Sequence, residues 1–101
     1  MTPQNPIQHA RIAADALARL VQDVKTGRAE WTHPHNITTA TDDFVRISEA
    51  MATAAQQMAA ALGQLGPRGP QTDQAVGALQ MAGTAGTTAA QHLRRARRTM
   101  H

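Results

Sequence analysis

Between residues 50 and 93 only two side chains, Arg68 and Asp73, carry a full charge, and each lies in or just after a break in the chain. A helix on the surface of a globular protein normally turns a charged face to water. Here Ala, Gln, Thr, Gly and Met run almost all the way round instead. Surfaces of that kind suit close contact with other helices on more than one side. The chain is therefore expected to be an all-α protein whose helices pack against one another and against another helical surface.

A length of 101 residues allows one domain. Hydrophobic residues make up 42%, but half of these are alanine, which buries little area. At roughly 25 cal/mol per Å² of apolar surface, a core so thin leaves a small margin over chain entropy. Self-association is one remedy. The absence of cysteine removes disulfides and thiolate metal sites from consideration.

Three helices are predicted, over about 6–26, 40–65 and 72–99. In the first, Pro6 suits the opening turn and Gly27 the position past the end. Ile7, Ala10, Ala14, Leu17, Val21 and Val24 follow heptad spacing, widened by Ala13 and Leu20, while Arg11, Asp15, Arg19 and Asp23 mark a solvated opposite face. In the second, Thr39 and Asp42 resemble a capping pair, and Phe44, Ile47, Met51, Ala54, Met58, Ala61 and Leu65 form the apolar seam, broadened by Ala55 and Leu62. The run Gly66-Pro67-Arg68-Gly69-Pro70 is a helix-to-helix turn. Thr72 is the expected cap of the third helix. Its seam is Val76, Leu79, Gly83, Gly86, Ala90, Leu93 and Met100, with Arg97 at the remaining position. Interior glycines cost up to about 1 kcal/mol each relative to Ala. Gly77, Gly83 and Gly86 therefore signal either close approach of another backbone or a broken helix. The expected architecture is a three-helix, mostly antiparallel bundle with long second and third helices, completed by oligomerisation.

No catalytic constellation is legible. There is no Cys or Tyr, and the Ser and Thr residues sit where helices need caps or polar surface. No glycine-rich phosphate loop is present, since the turn at 66–70 contains two prolines and no following Lys-Ser/Thr. His33 and His35 flank Pro34, but no third His or Cys lies nearby to complete a metal site. No enzyme, cofactor or metal is expected. The apolar runs are too short for a membrane span, and the N-terminus lacks a basic region followed by an apolar core. The expected location is the cytoplasm, with export that needs no cleaved signal as the alternative.

Two candidate surfaces follow. One is a protein interface of Trp31, Met51, Ala55, Met58, Leu62, Leu79, Ala82, Gly83, Gly86 and Ala90, through which the chain would self-associate or dock a helical partner. Trp31, the one tryptophan, either caps the bundle or anchors a partner. The other is the basic end, Arg94, Arg95, Arg97 and Arg98. Residues 1–50 carry 5 basic and 6 acidic groups, and residues 51–101 carry 5 and 1, so the second half is strongly cationic. Four arginines in a short run can neutralise nucleic-acid phosphates or meet another anionic partner. Equally, cations at a helix C-terminus complement its dipole. A small nucleic-acid-binding accessory protein is thus the alternative to an assembly module.

The size, the lack of Cys and a Trp between helices also loosely resemble the WXG100 group of small secreted helical-hairpin proteins. The resemblance implies an exported helical protein. Trp31 is followed by Thr32 and His33, so the group's Trp-x-Gly turn is absent, and the third helix is additional. No functional residue is carried over.

Overall fold

A computed structural model describes residues 5–100, whose regular structure is entirely helical, with no strand among the described residues. The helices are α1 (Ile7–Lys25), α2 (Pro34–Leu65) and α3 (Pro70–Thr99). The chain divides into two compact units, Met1–Pro34 and His35–His101. Helix α1 belongs to the first; α2 from its second residue, together with α3, forms the second.

Helix α1 starts where Asn5 Oδ1 accepts a hydrogen bond from the Ile7 N–H at 3.0 Å. It ends where Thr26 N–H and Thr26 Oγ1 both donate to the Gln22 carbonyl. Gly27 then turns the chain at φ +78°, a conformation that favours glycine. No residue of α1 is fully buried. Of the expected seam, Leu17, Leu20 and Val24 are half-buried while Ile7, Ala10, Ala13, Ala14 and Val21 are exposed; of the expected charged face, Arg11, Asp15 and Arg19 are exposed and Asp23 is half-buried.

Helix α2 begins at Pro34, six residues before the predicted start near 40. Proline is pre-organised for the first helical position, and nothing between 35 and 41 breaks the helix. Thr39 and Asp42 therefore lie inside α2 and cap nothing. The β-branched Ile37, Thr38 and Thr39 carry a small propensity penalty, offset by tertiary contact: Thr38 Oγ1 and Thr41 Oγ1 lie 3.7 and 3.9 Å from Met100 Sδ. Helix α3 opens on Pro70 after Gly69, whose φ of +150° accommodates the turn, and so starts ahead of Thr72. Thr72 instead donates its hydroxyl to the Pro67 carbonyl, closing the turn. Helix α3 continues unbroken through Gly77, Gly83 and Gly86.

Helices α2 and α3 pack along their whole length, with contacts in opposite order: Asp42 meets Arg97, Ala52 meets Gly86, and Gly63 lies across from Val76. The core between them is made of small side chains. Thr41, Val45, Ser48, Ala52, Ala55 and Ala59 of α2 are buried against Gly83, Gly86 and Ala90 of α3. The α3 seam is the expected one. The α2 seam is not. The predicted stripe of Phe44, Ile47, Met51, Ala54, Met58, Ala61 and Leu65 stands one position aside from the buried one, rotated by about 100°.

The reason is interaxial distance. A methyl on Gly86 would lie 3.1 Å from Ala52 Cβ and 3.2 Å from both Ala52 Cα and Ser48 O. Backbones that close admit only small side chains between them, as in small-residue helix crossings generally. Methionine and leucine do not fit, and the row of Ser and Ala does.

Candidate protein-interaction face

The α2–α3 pair has two unlike sides. Stepping one residue forward from each seam reaches Asp42, Arg46, Glu49, Thr53, Gln56 and Ala60 on α2, and Gly77, Gln80, Thr84, Thr87, Gln91 and Arg94 on α3. These face one another across the polar side. Arg94 donates to Glu49 Oε1 at 2.7 Å, and Gln56 Nε2 donates to the Gln80 carbonyl at 3.5 Å. Arg97, on the seam itself, donates from Nε to Asp42 Oδ1 at 2.9 Å.

Stepping one residue back from each seam reaches the other side. Because the helices run in opposite order, a backward step of about 100° turns both to the same side of the pair. On α2 this is the displaced apolar stripe. Met51 is 56% exposed, Met58 53% and Leu65 85%, with Ile47 also exposed and Phe44 half-buried. On α3 it is a row of alanines at 75, 78, 82, 85, 89 and 96, interrupted only by His92. Neither row contains a fully charged side chain. The result is a broad apolar face, ridged along α2 and flat along α3. Isolated exposed apolar residues need no explanation, whereas a contiguous apolar face marks an interaction surface.

The expected interface residues fall on both sides of this division. Met51, Met58 and Ala82 lie on the open apolar face. Ala55, Gly83, Gly86 and Ala90 are buried inside the pair, and Leu62 and Leu79 are half-buried there. Their smallness serves contact within the chain. Ile47, Leu65 and the alanines at 75, 78, 85, 89 and 96 are additions to the candidate surface. A signal for them was present: glycines at seam positions of α3 require small residues opposite, which leaves the bulky neighbouring stripe of α2 free. Trp31, in the segment between α1 and α2, is 46% exposed.

The basic end is likewise divided. Arg94 and Arg97 are held against carboxylates of α2. Arg95 and Arg98 are exposed and form no ion pair among the described residues. Two of the four guanidiniums thus have their charge locally matched. Exposed pairs of this kind contribute about 0–1 kcal/mol each, so their effect is mainly to set the level at which α3 meets α2.

His33 and His35 are separated by the helix start at Pro34, so His35 is helical. Among the described residues no three His, Cys, Asp or Glu side chains gather as a metal site would require. Among them also, no helix is long and apolar enough to cross a membrane. The chain matches no protein-family model, no curated protein and no solved structure, so its assignment rests on its own residues.

Proposed function

We propose that this chain is a non-catalytic helical interaction module that docks another helical surface through the apolar side of the α2–α3 pair. The antiparallel bundle expected from the sequence would be completed by that docking. The observation supporting it most strongly is the stripe of Ile47, Met51, Met58 and Leu65, left exposed at heptad spacing while alanine and glycine fill the contact within the pair. Covering a methionine or leucine side chain is worth about 1.5–3 kcal/mol. A row of them on one face supplies a driving force that the thin α2–α3 core does not use. Two of the basic-end arginines are engaged with α2, so the cluster is the weaker candidate for a partner site.

The test combines molar mass by light scattering with binding of a hydrophobic dye, on the full chain and on a Met51→Glu, Met58→Glu double variant. Either of two results supports the docking face: a species above 10.8 kDa that the double variant returns to monomer, or a monomer whose dye binding the double variant abolishes. Circular dichroism must show that the variant keeps its helices. A wild-type monomer that binds no dye would mean that the face is not open, and the proposal would fail.

A further inference from the structure

Resting on that docking reading, we infer that the occupant of the apolar face is a second copy of the chain. It is related by a two-fold axis parallel to the helices, so that α2 of each copy lies on α3 of the other. The argument is one of shape. The face is ridged on one helix and flat on the other. A two-fold axis along the helices lays the ridge of each copy on the flat row of its partner and preserves the levels already set within one chain. Since Ala52 stands level with Gly86, Met51 falls between the partner's Ala85 and the partner's Ala89. Met58 falls between the partner's Ala78 and the partner's Ala82. Each thioether enters a gap between two alanines, and the contact occurs twice by symmetry. The four helices then form a square in which all neighbours run in opposite directions, the up-and-down arrangement of four-helix bundles. The roughly 100° between the buried seam and the apolar stripe is close to the right angle that such a corner needs.

The other two-fold, perpendicular to the helices, lays ridge on ridge and flat on flat. That separates the α2 pair while the α3 pair approaches, so layer spacing is uneven and voids remain. Charge permits a second copy in either case. Two faces without a fully charged side chain meet with no like-charge opposition. At the rim, Arg95 stands level with the partner's Asp43 in the parallel-axis arrangement, by the same offset that places Ala52 at Gly86. The extent is also adequate. Stripes of about 22 residues are about 32 Å long, and two helices side by side are about 18 Å wide. The projected footprint, about 600 Å², is on the order of the 800 Å² per partner of a standard stable interface.

The chain has no cysteine, so single-cysteine variants report proximity directly. Met58→Cys and Ala82→Cys are prepared separately, mixed and oxidised, and a third variant, Ala54→Cys, tests the perpendicular axis. The expected results are a wild-type mass of twice 10.8 kDa and a disulfide joining the Met58→Cys chain to the Ala82→Cys chain. A disulfide between the Met58→Cys and Ala54→Cys chains would overturn the arrangement in favour of α2 on α2. A dimer in which Met58→Cys and Ala82→Cys do not join would overturn it as well. A wild-type monomer up to several hundred micromolar overturns the second copy. If that monomer binds the hydrophobic dye through Met51 and Met58, the docking face survives for a different protein; if it does not, both readings fall.

Discussion

Replacing Gly86 by alanine sets two effects of known sign against each other. A methyl in a helix interior removes the backbone-entropy penalty of glycine, a gain of about 0.8–1 kcal/mol. At this position the same methyl would lie 3.1 Å from Ala52 Cβ, 3.2 Å from Ala52 Cα and 3.2 Å from Ser48 O. Optimal carbon–carbon separation is about 3.5–4.0 Å. The three contacts are therefore compressed, and two of them are with backbone atoms that cannot rotate away. Overpacking of this kind costs about 1–3 kcal/mol. The net expectation is a loss of about 0–2 kcal/mol. Gly77 is the control: it lies in the same helix, and an added methyl would meet nothing within 4 Å. Gly77→Ala should stabilise by about 0.5–1 kcal/mol. The difference between the two variants isolates the steric term at about 1–3 kcal/mol. Each kcal/mol corresponds to about 4–8 °C in Tm for a domain of this size. The assay is thermal and urea unfolding followed by circular dichroism, at one fixed protein concentration because association shifts Tm. Ala52→Gly removes only the contact with Ala52 Cβ and itself costs about 1 kcal/mol as an interior glycine, so the Ala52→Gly, Gly86→Ala double variant should lose less than the sum of the two single variants, giving a measurable coupling between the sites. If Gly86→Ala stabilises as much as Gly77→Ala, the helices do not approach closely there. The explanation given for the small-residue seam would then be wrong.

Further expectations are as follows. Gly83→Ala should be tolerated better than Gly86→Ala, because its closest new contact is the side-chain amide of Gln56, which can swing aside; unfolding midpoints of the two variants compare them. Removing the Arg94–Glu49 pair in a double-mutant cycle should give a coupling of about 0.2–1 kcal/mol, reduced in 1 M salt, since both side chains are about half exposed. Met100→Ala should destabilise the end of the α2–α3 pair by about 1–2 kcal/mol, through loss of its contacts with Thr38 and Thr41, and hydrogen exchange should report the change first near residues 35–41. Arg98→Gln should leave the unfolding free energy within about 0.5 kcal/mol of wild type, as its side chain forms no ion pair among the described residues; urea unfolding checks it.

Local sequence determined the elements. Gly27 ends α1, the Gly and Pro residues at 66–70 separate α2 from α3, and heptad spacing places Val76, Leu79, Gly83, Gly86, Ala90 and Leu93 on one line of α3. These features depend on backbone geometry and on residues a few positions apart, which a sequence displays directly. The start of α2 was not local in this sense: Pro34 suits a first helical position, Thr39 and Asp42 look like a competing cap, and the contacts of Thr38 and Thr41 with the distant Met100 favour the earlier start. What tertiary structure alone decided is which line of α2 faces α3. Two heptad rows stand side by side on that helix, one of small residues through Ser48, Ala52, Ala55 and Ala59, the other of bulky ones through Met51, Met58 and Leu65. Burial area taken one helix at a time favours the bulky row. Spacing between two backbones favours the small one, because Gly83 and Gly86 bring α3 too close for anything larger. That choice is a property of the pair of surfaces, absent from either helix alone, and it turns the methionine row outward to form the open apolar face.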